Sequence, residues 1–342
     1  MLSASFTGSG VSDIGVAARA ALRQAAAVLA VCGVLSVVVA VPEACGLIRA
    51  GDDGDIRVDK HRPQGRSVQA TVLPSVHGSW LEGDGLHGTL GDGRQVEIAA
   101  FSGDSVRALQ FQPAARTWKS VRLHPRELVA MRWSESECHM GGCTRRSFRI
   151  VEVSQDASRN TMPGRSSNLD LWLYRVETAA SPESEVWQPV CADASGNPDA
   201  GLFVDGRWAA EGRWRAGGYT FSCATGVVAK CARTWGYKPW RTADSPDHGG
   251  VDLQPLHLAC VRAARADYCG DGVSHTLDGE SIGLSDRYGF NPPAPADAHI
   301  ESVFDELGAV HVYRPRVGNS APACQLEDAP AAGREADIAV WR

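Results

Sequence analysis

The stretch "VDLQPLHLACVRAARADYCGDG", Val251 to Gly272, decides how the chain is read. Asp252 is suited to cap a helix, because a short acidic side chain can accept from the exposed amides of a first turn. Leu253, Leu256, Cys260 and Ala264 then recur on one stripe at helical spacing, with Arg262 and Arg265 off it. Gly270 and Gly272 mark the end. Upstream, "TGVVAKCARTWGYKPW" (Thr225 to Trp240) repeats the plan. Thr225 is the cap, Val227, Cys231 and Trp235 share a face, and Gly236 and Pro239 stop the helix. Each helix presents a cysteine inward, so a Cys231–Cys260 bridge is expected. A Cys260–Cys269 bridge is disfavoured. The helix rises about 1.5 Å per residue, while a disulfide needs Cα atoms about 4.4–6.8 Å apart. Cys269 is then expected to tie the turn after the helix to the strand ending at Cys223, which leaves Cys191 for Cys324.

Outward from these helices the chain reads as β-rich. Its 36 glycines and 18 prolines supply turns. "GRQVEIAAF" (Gly93 to Phe101), "RTWKSVRL" (Arg116 to Leu123) and "SFRIVEV" (Ser147 to Val153) are rich in strand-forming residues. "NLDLWLYRV" alternates, with Leu169, Leu171 and Leu173 on one face and Asp170, Trp172 and Tyr174 on the other. The five-residue echo at Val76, Leu81 and Leu86 is too short for a β-helix coil and reads as a glycine-rich hairpin region. Cys138 and Cys143 flank "HMGG" and are expected to pair locally; zinc through His139 is disfavoured because three ligands do not close a site. The expected fold is α+β and β-rich: antiparallel strands, with two short helices in a disulfide-stabilised C-terminal domain.

The N-terminus reads as an export signal. Arg19 and Arg23 precede the apolar run Ala25 to Val41. That run suits a cleaved signal peptide, with an uncleaved anchor as the competitor. Of ten cysteines, Cys32 lies inside the run. Nine remain, and an odd count leaves one over. Cys45 stands where a lipoprotein carries its acyl chains, although Pro42-Glu43-Ala44 matches a lipobox poorly. The expected organisation is a signal peptide or anchor (1–44), a charged spacer (45–65), a β-rich region (66–167), a C-terminal domain (168–317) and a tail (318–342).

"FSCATGVVAKCARTWGYKPW", "LHLACVRAARADYCGDGVSHTLDGESIGLSD" and the closing "YRPR" together resemble the ADYC domain, whose signature stands here as Ala266-Asp267-Tyr268-Cys269. The resemblance covers about Asp170 to Arg316. It implies an exported bacterial protein of a family whose function is uncharacterised. The family pattern carries a cysteine just before the closing arginines. Here that place holds "AVHVYRPR", with His311 nearby, and Cys324 in the tail is the substitute.

Asp267, Asp271, Asp278 and Glu280 lack the alternating spacing of a calcium loop. His257, Cys260, Cys269 and His275 could be drawn as a zinc set, but in an oxidising compartment the cysteines go to disulfides. No metal and no cofactor is expected. The weak catalytic candidates are His275, Asp278, Asp267 and Tyr268. Asp278-Gly279 is more readily a hairpin turn. Trp208, Trp214, Trp235, Tyr237 and Trp240 are either a binding platform or the large pieces of a small core. A net charge of -6 with no evident basic patch argues against nucleic acid.

The leading expectation is an exported binding or interaction module, periplasmic, outer-membrane-associated or extracellular, with a glycan, a peptide or an envelope protein as partner. Membrane contact is expected only through the N-terminus. The alternative is a secreted hydrolase of cell-wall or extracellular polymers acting through the 267–280 loop. The "RADYCGDG" segment itself is read as a structural clasp.

Overall fold

The computed structural model describes residues 79–83, 85–139, 142–162, 167–193, 195–208, 214–245, 248–276, 281–317, 322, 324 and 334–342. At 79–83, 136–139, 142–144 and 208 it describes backbone alone. The signal segment, the spacer and Cys45 lie outside the described residues, as do Asp278, Glu280 and the expected hairpin turn at Asp278-Gly279.

The expected α+β, β-rich class is what the chain adopts. One large antiparallel sheet is built from β1 (Ser79–Gly83), β2 (Leu86–Thr89), β3 (Gln95–Phe101), β4 (Val106–Gln112), β5 (Thr117–Leu123), β6 (Arg132–His139), β7 (Gly142–Gln155), β8 (Trp172–Ala179), β9 (Gln188–Pro189), β12 (Gly201–Trp208) and β13 (Trp214–Cys223). The spatial order is β1-β13-β12-β8-β7-β6-β2-β3-β4-β5, with β9 beside β8. The short strands β10 (Cys191–Ala192) and β11 (Pro198–Asp199) pair separately. The boundary near residue 168 falls inside the large sheet, between the paired neighbours β7 and β8.

The sheet curls, so that β3 reaches β12. The amide of Phe101 donates to Asp205 Oδ1 at 2.6 Å, and the Phe101 ring stacks on Phe203 at 4.6 Å. Tyr174, Tyr219 and Phe221 also surround Phe203. Strand β8 shows why: its inward Trp172 and Tyr174 join this aromatic core, while Leu173 packs on the other side against the helices. Leu169 lies ahead of the strand and is exposed.

The second layer holds α1 (Val227–Arg233), the hairpin β14 (Thr242–Ser245) and β15 (Gly249–Asp252), and α2 (Leu253–Arg265). A four-stranded sheet follows, ordered β16 (Gly283–Asp286), β19 (Ile338–Trp341), β17 (Ile300–Asp305) and β18 (Gly308–Val312). The stretch from 318 onward thus contributes an inner strand, β19. Four short residues gave no periodic signal of it.

Asp252 caps α2 as expected, accepting from the amide of Gln254 at 3.0 Å. Two expectations need correction. Gly226 is the N-cap of α1 instead of Thr225, because the turn closed by Gly226 N onto Cys223 O starts the helix one residue later. And α2 stops at Ala266, ahead of Gly270. Arg262 and Arg265 are buried as well, since α2 is enclosed by α1 on one side and by β17, β18 and β19 on another.

Candidate functional site

The Ala266–Cys269 turn grows out of the end of α2. Ala266 adopts left-handed dihedrals, φ 53° and ψ 39°, at a cost of about 1–2 kcal/mol for a residue with a Cβ. The conformation turns the chain so that Asp267 N donates to Arg262 O at 2.9 Å and Ala266 N to Ala263 O at 3.1 Å. The Asp267 carboxylate folds back on the helix it has just left. It accepts from Arg262 Nη1 at 2.7 Å and from the Gly272 amide at 3.1 and 3.2 Å. Asp267 is fully enclosed, and that burial pushes its carboxyl up to about 6, against the pull of Arg262 and Arg265. Two glycines let the neighbouring hairpin press onto this turn. A Cβ on Gly270 would lie 1.8 Å from Leu307 O. Beside it, Ala309 N donates to Tyr268 O at 2.9 Å.

Tyr268 reaches into a second buried network. Its hydroxyl donates to Glu301 Oε1 at 3.1 Å and accepts from Arg316 N at 2.7 Å. Burial pushes that hydroxyl well above the ordinary tyrosine range. The Arg316 guanidinium carries five N–H groups, and all are used. Nε and Nη2 meet Glu301 at 3.0 Å each, Nη2 also meets Ala263 O at 3.0 Å, and Nη1 meets Ala264 O at 2.8 Å and Thr276 Oγ1 at 2.7 Å. Arg316 therefore neutralises a buried carboxylate and caps the carbonyl end of α2, where a cation is favoured. The sequence flagged "YRPR" as a motif without a role for Arg316. Glu301 carried no signal at all, since one acid in a strand has no pattern.

These networks enclose two of the four sequence candidates. Asp267 and Tyr268 are enclosed, and their polar atoms are committed to partners inside the protein. Ser274 donates to Arg265 O at 3.1 Å. The half-buried His275 stacks on Tyr268, ring centroids 5.6 Å apart. A carboxylate and a phenol sealed in this way supply rigidity and no solvent-facing acid or base. Among the described residues, no group of three or more His, Cys, Asp and Glu side chains could hold a metal.

The sulfurs join Cys231 to Cys260, Cys191 to Cys223 and Cys269 to Cys324. The pairs Cys223–Cys269 and Cys191–Cys324 are thus corrected. Cys191 opens β10 close to the end of β13, so Cys223 finds it first, with Cα atoms 5.5 Å apart. Cys269 instead ties the turn to the segment beyond Arg316. Cys138 and Cys143 face each other in register across β6 and β7; their side chains are outside the described residues.

A cleft of ≈ 410 Å³ opens above this base. Ala264, Thr276 and Arg316 contribute to its lining, and Trp235, Trp341, Thr161, Thr234 and Asn291 form other parts of its wall. Trp341 lies flat across Gly283, where a Cβ would come within 2.1 Å of the indole. Its buried Nε1 has no hydrogen-bond partner among the described residues. Thr161 Oγ1 and Asn291 Oδ1 are 2.5 Å apart, and Asn291 Nδ2 holds Trp235 O at 2.9 Å. The other aromatics flagged in the sequence serve packing. Tyr237 is fully buried and donates to Asp286 at 2.8 Å, and Trp214 and Trp240 lie against the helical core. The Trp208 side chain is outside the described residues.

The ADYC domain is the family whose model matches this chain, over residues 125–318, more than half its length. The match begins well before Asp170 and takes in β6 and β7. No curated protein and no solved structure matches the chain.

Proposed function

Because the chain belongs to the ADYC domain family, we propose that it is an exported binding module whose ligand occupies the Trp235–Trp341 cleft. The observation that carries this reading is the composition of the cleft. Two indoles, several hydroxyl or amide side chains and Lys230 stand over a base in which Arg316 is fully hydrogen-bonded. Pockets of this kind, apolar walls with a few fixed polar groups, recognise ligands by shape and hydrogen bonding. A saccharide unit fits that chemistry best. Its apolar ring face stacks on an indole, and its hydroxyls meet polar side chains of the wall, Thr161 and Thr234 among them. The hydrolase alternative loses support, since Asp267 and Tyr268 are sealed away from solvent.

Export is the cellular half of the proposal. Three described disulfides fit an oxidising compartment. No helix among the described residues is long and apolar enough to cross a membrane. The run from Ala25 to Val41 would direct export and be removed near residues 40–44, with Cys45 the acylation site if the protein is retained on a membrane.

Tryptophan fluorescence titration with soluble N-acetylhexosamine oligosaccharides tests the binding site. Trp235→Ala should weaken binding about tenfold, the upper range for a lost aromatic stacking contact, with the circular dichroism unchanged. Equal affinity in that variant removes the cleft from the proposal. Tighter binding of unglycosylated peptides would change the ligand class, and shortening of the oligosaccharide would make the protein a hydrolase. N-terminal sequencing of protein from the cell envelope tests export; a chain still beginning at Met1 would argue for an uncleaved anchor.

A further inference from the structure

The hairpin of β4 and β5 stands apart from both sites described above. From Val106 to Arg126 the chain carries Arg107, Arg116, Lys119, Arg122 and Arg126, and no acidic residue, in a protein of net charge -6. Arg126 lies over the Trp172 ring. Arg107, Arg116, Lys119 and Arg122 are exposed and make no ion pair among the described residues, although the field of Arg107 reaches Asp205. The register sets Arg107 directly opposite Arg122, Leu109 opposite Ser120 and Phe111 opposite Trp118. Like charges facing each other across a ladder destabilise it, so the hairpin keeps a cationic face at a cost to its own stability.

Strand β5 is also the last strand of the large sheet, and its outer edge has no partner strand among the described residues. Thr117, Trp118, Lys119 and Ser120 are exposed in succession, so both faces of this end of the hairpin meet solvent. Trp118 is 44% exposed and tilts on Phe111 at 5.4 Å. An open edge with a large exposed indole is a template for strand addition.

We propose that the outer edge of β5 is a docking site for an extended acidic segment of another protein, added as an antiparallel strand. The two properties together select that partner. A second copy of this chain would bring a cationic edge against a cationic edge. A polyanion without a strand backbone would satisfy the charges and leave the row of edge amides and carbonyls unpaired. Antiparallel addition fixes the pattern. Read from its own N-terminus, the partner places an acid opposite Arg122, an acid three residues later opposite Lys119, and an apolar residue next, opposite Trp118. The matching order is acid, any, any, acid, apolar. The edge cations have a second possible role, the blocking of self-association, and the experiment separates the two.

The full chain is titrated by fluorescence anisotropy with a labelled decapeptide that carries the order acid, Thr, Thr, acid, Ile flanked by threonines. The competing probes are the same peptide N-methylated at alternate residues, duplex DNA and phosphatidylglycerol vesicles. Saturable binding is expected, weakened at least tenfold by Lys119→Glu with Arg122→Glu and at least tenfold by N-methylation. Binding should also fall as salt rises. Unchanged circular dichroism shows that the variant folds. N-methylated peptide binding as tightly as the parent would leave charge alone and overturn strand addition. DNA or vesicles binding as tightly as the peptide would transfer the surface to that class of partner. No peptide binding, with association of Lys119→Thr/Arg122→Thr into oligomers, would assign the cations to blocking self-association.

Discussion

Gly270→Ala tests the joint between the ADYC turn and the β17–β18 hairpin. Gly270 has φ 69°, and the added Cβ would sit 1.8 Å from Leu307 O. Two costs combine. Left-handed dihedrals cost an alanine about 1–2 kcal/mol. Relief of the overlap then requires Leu307 O to retreat by about 1.5 Å to reach ordinary carbon–oxygen contact. That retreat breaks the Ala309 N to Tyr268 O bond, worth about 1 kcal/mol net, and loosens the packing behind it. The dihedral and hydrogen-bond costs come to about 2–3 kcal/mol, and the loosened packing adds to them. Gly289→Ala is the control, since Gly289 has φ 73° and open space at the Cβ position; only the dihedral cost applies there. Urea unfolding under non-reducing conditions, followed by tryptophan fluorescence, measures both. Hydrogen exchange at the Ala309 amide should accelerate in Gly270→Ala and stay unchanged in Gly289→Ala. Equal stability losses in the two variants would refute the contact as the source of the turn's glycine requirement.

Two further outcomes follow from the buried charges. Arg316→Met leaves Glu301 without its main cation and should cost about 3–5 kcal/mol; Glu301→Gln in the same background should recover part of that loss, and a loss under about 1 kcal/mol for Arg316→Met would show the pair to be dispensable. His257 is enclosed with Nδ1 2.8 Å from Tyr237 O, and burial holds its pKa down to about 4. Its folded value lies below its free value, so the unfolded chain protonates first. The stability it contributes is complete above about pH 6.5 and is lost as pH falls toward 4, at most about 3 kcal/mol. Asp205 and Asp267, raised by burial to about 6, act in the opposite sense over nearly the same interval. The clean readout is therefore a difference: His257→Gln should gain on the native protein as pH drops from 7 to 4, and parallel unfolding curves would sink the assignment.

The two helices were readable from sequence because their small, periodic apolar stripes each carry one cysteine. The same regularity makes the Cys231–Cys260 bond inferable from faces alone. Neither the partner of Cys269 nor the Glu301–Arg316 pair offers such a pattern. Their partners are brought together by a turn of irregular dihedrals and by strands distant in the chain. The large sheet hid its extent for a related reason. The change of texture near residue 168 reflects which core a segment packs against, and β8 serves both. Asp267 pairs with Arg262, five residues back in the chain. What could not be foreseen was that the carboxylate also closes over the Gly272 amide, which depends on Ala266 taking a left-handed turn.

The three described bridges have a consequence for how the chain is made. From Cys191 onward the cysteines run 191, 223, 231, 260, 269 and 324, and each bond joins one of them to the next in order. No bridge encloses or crosses another. A chain threaded through an export pore from its N-terminus would present these thiols in pairs, and an oxidant acting on each new pair as it emerges would produce the native set. The nested arrangement Cys223–Cys269 within Cys191–Cys324 would have held the first thiol open until nearly the whole domain had crossed, with wrong partners arriving in the meantime. In an exported chain this order of bonds would let vectorial delivery stand in for proofreading by a disulfide isomerase.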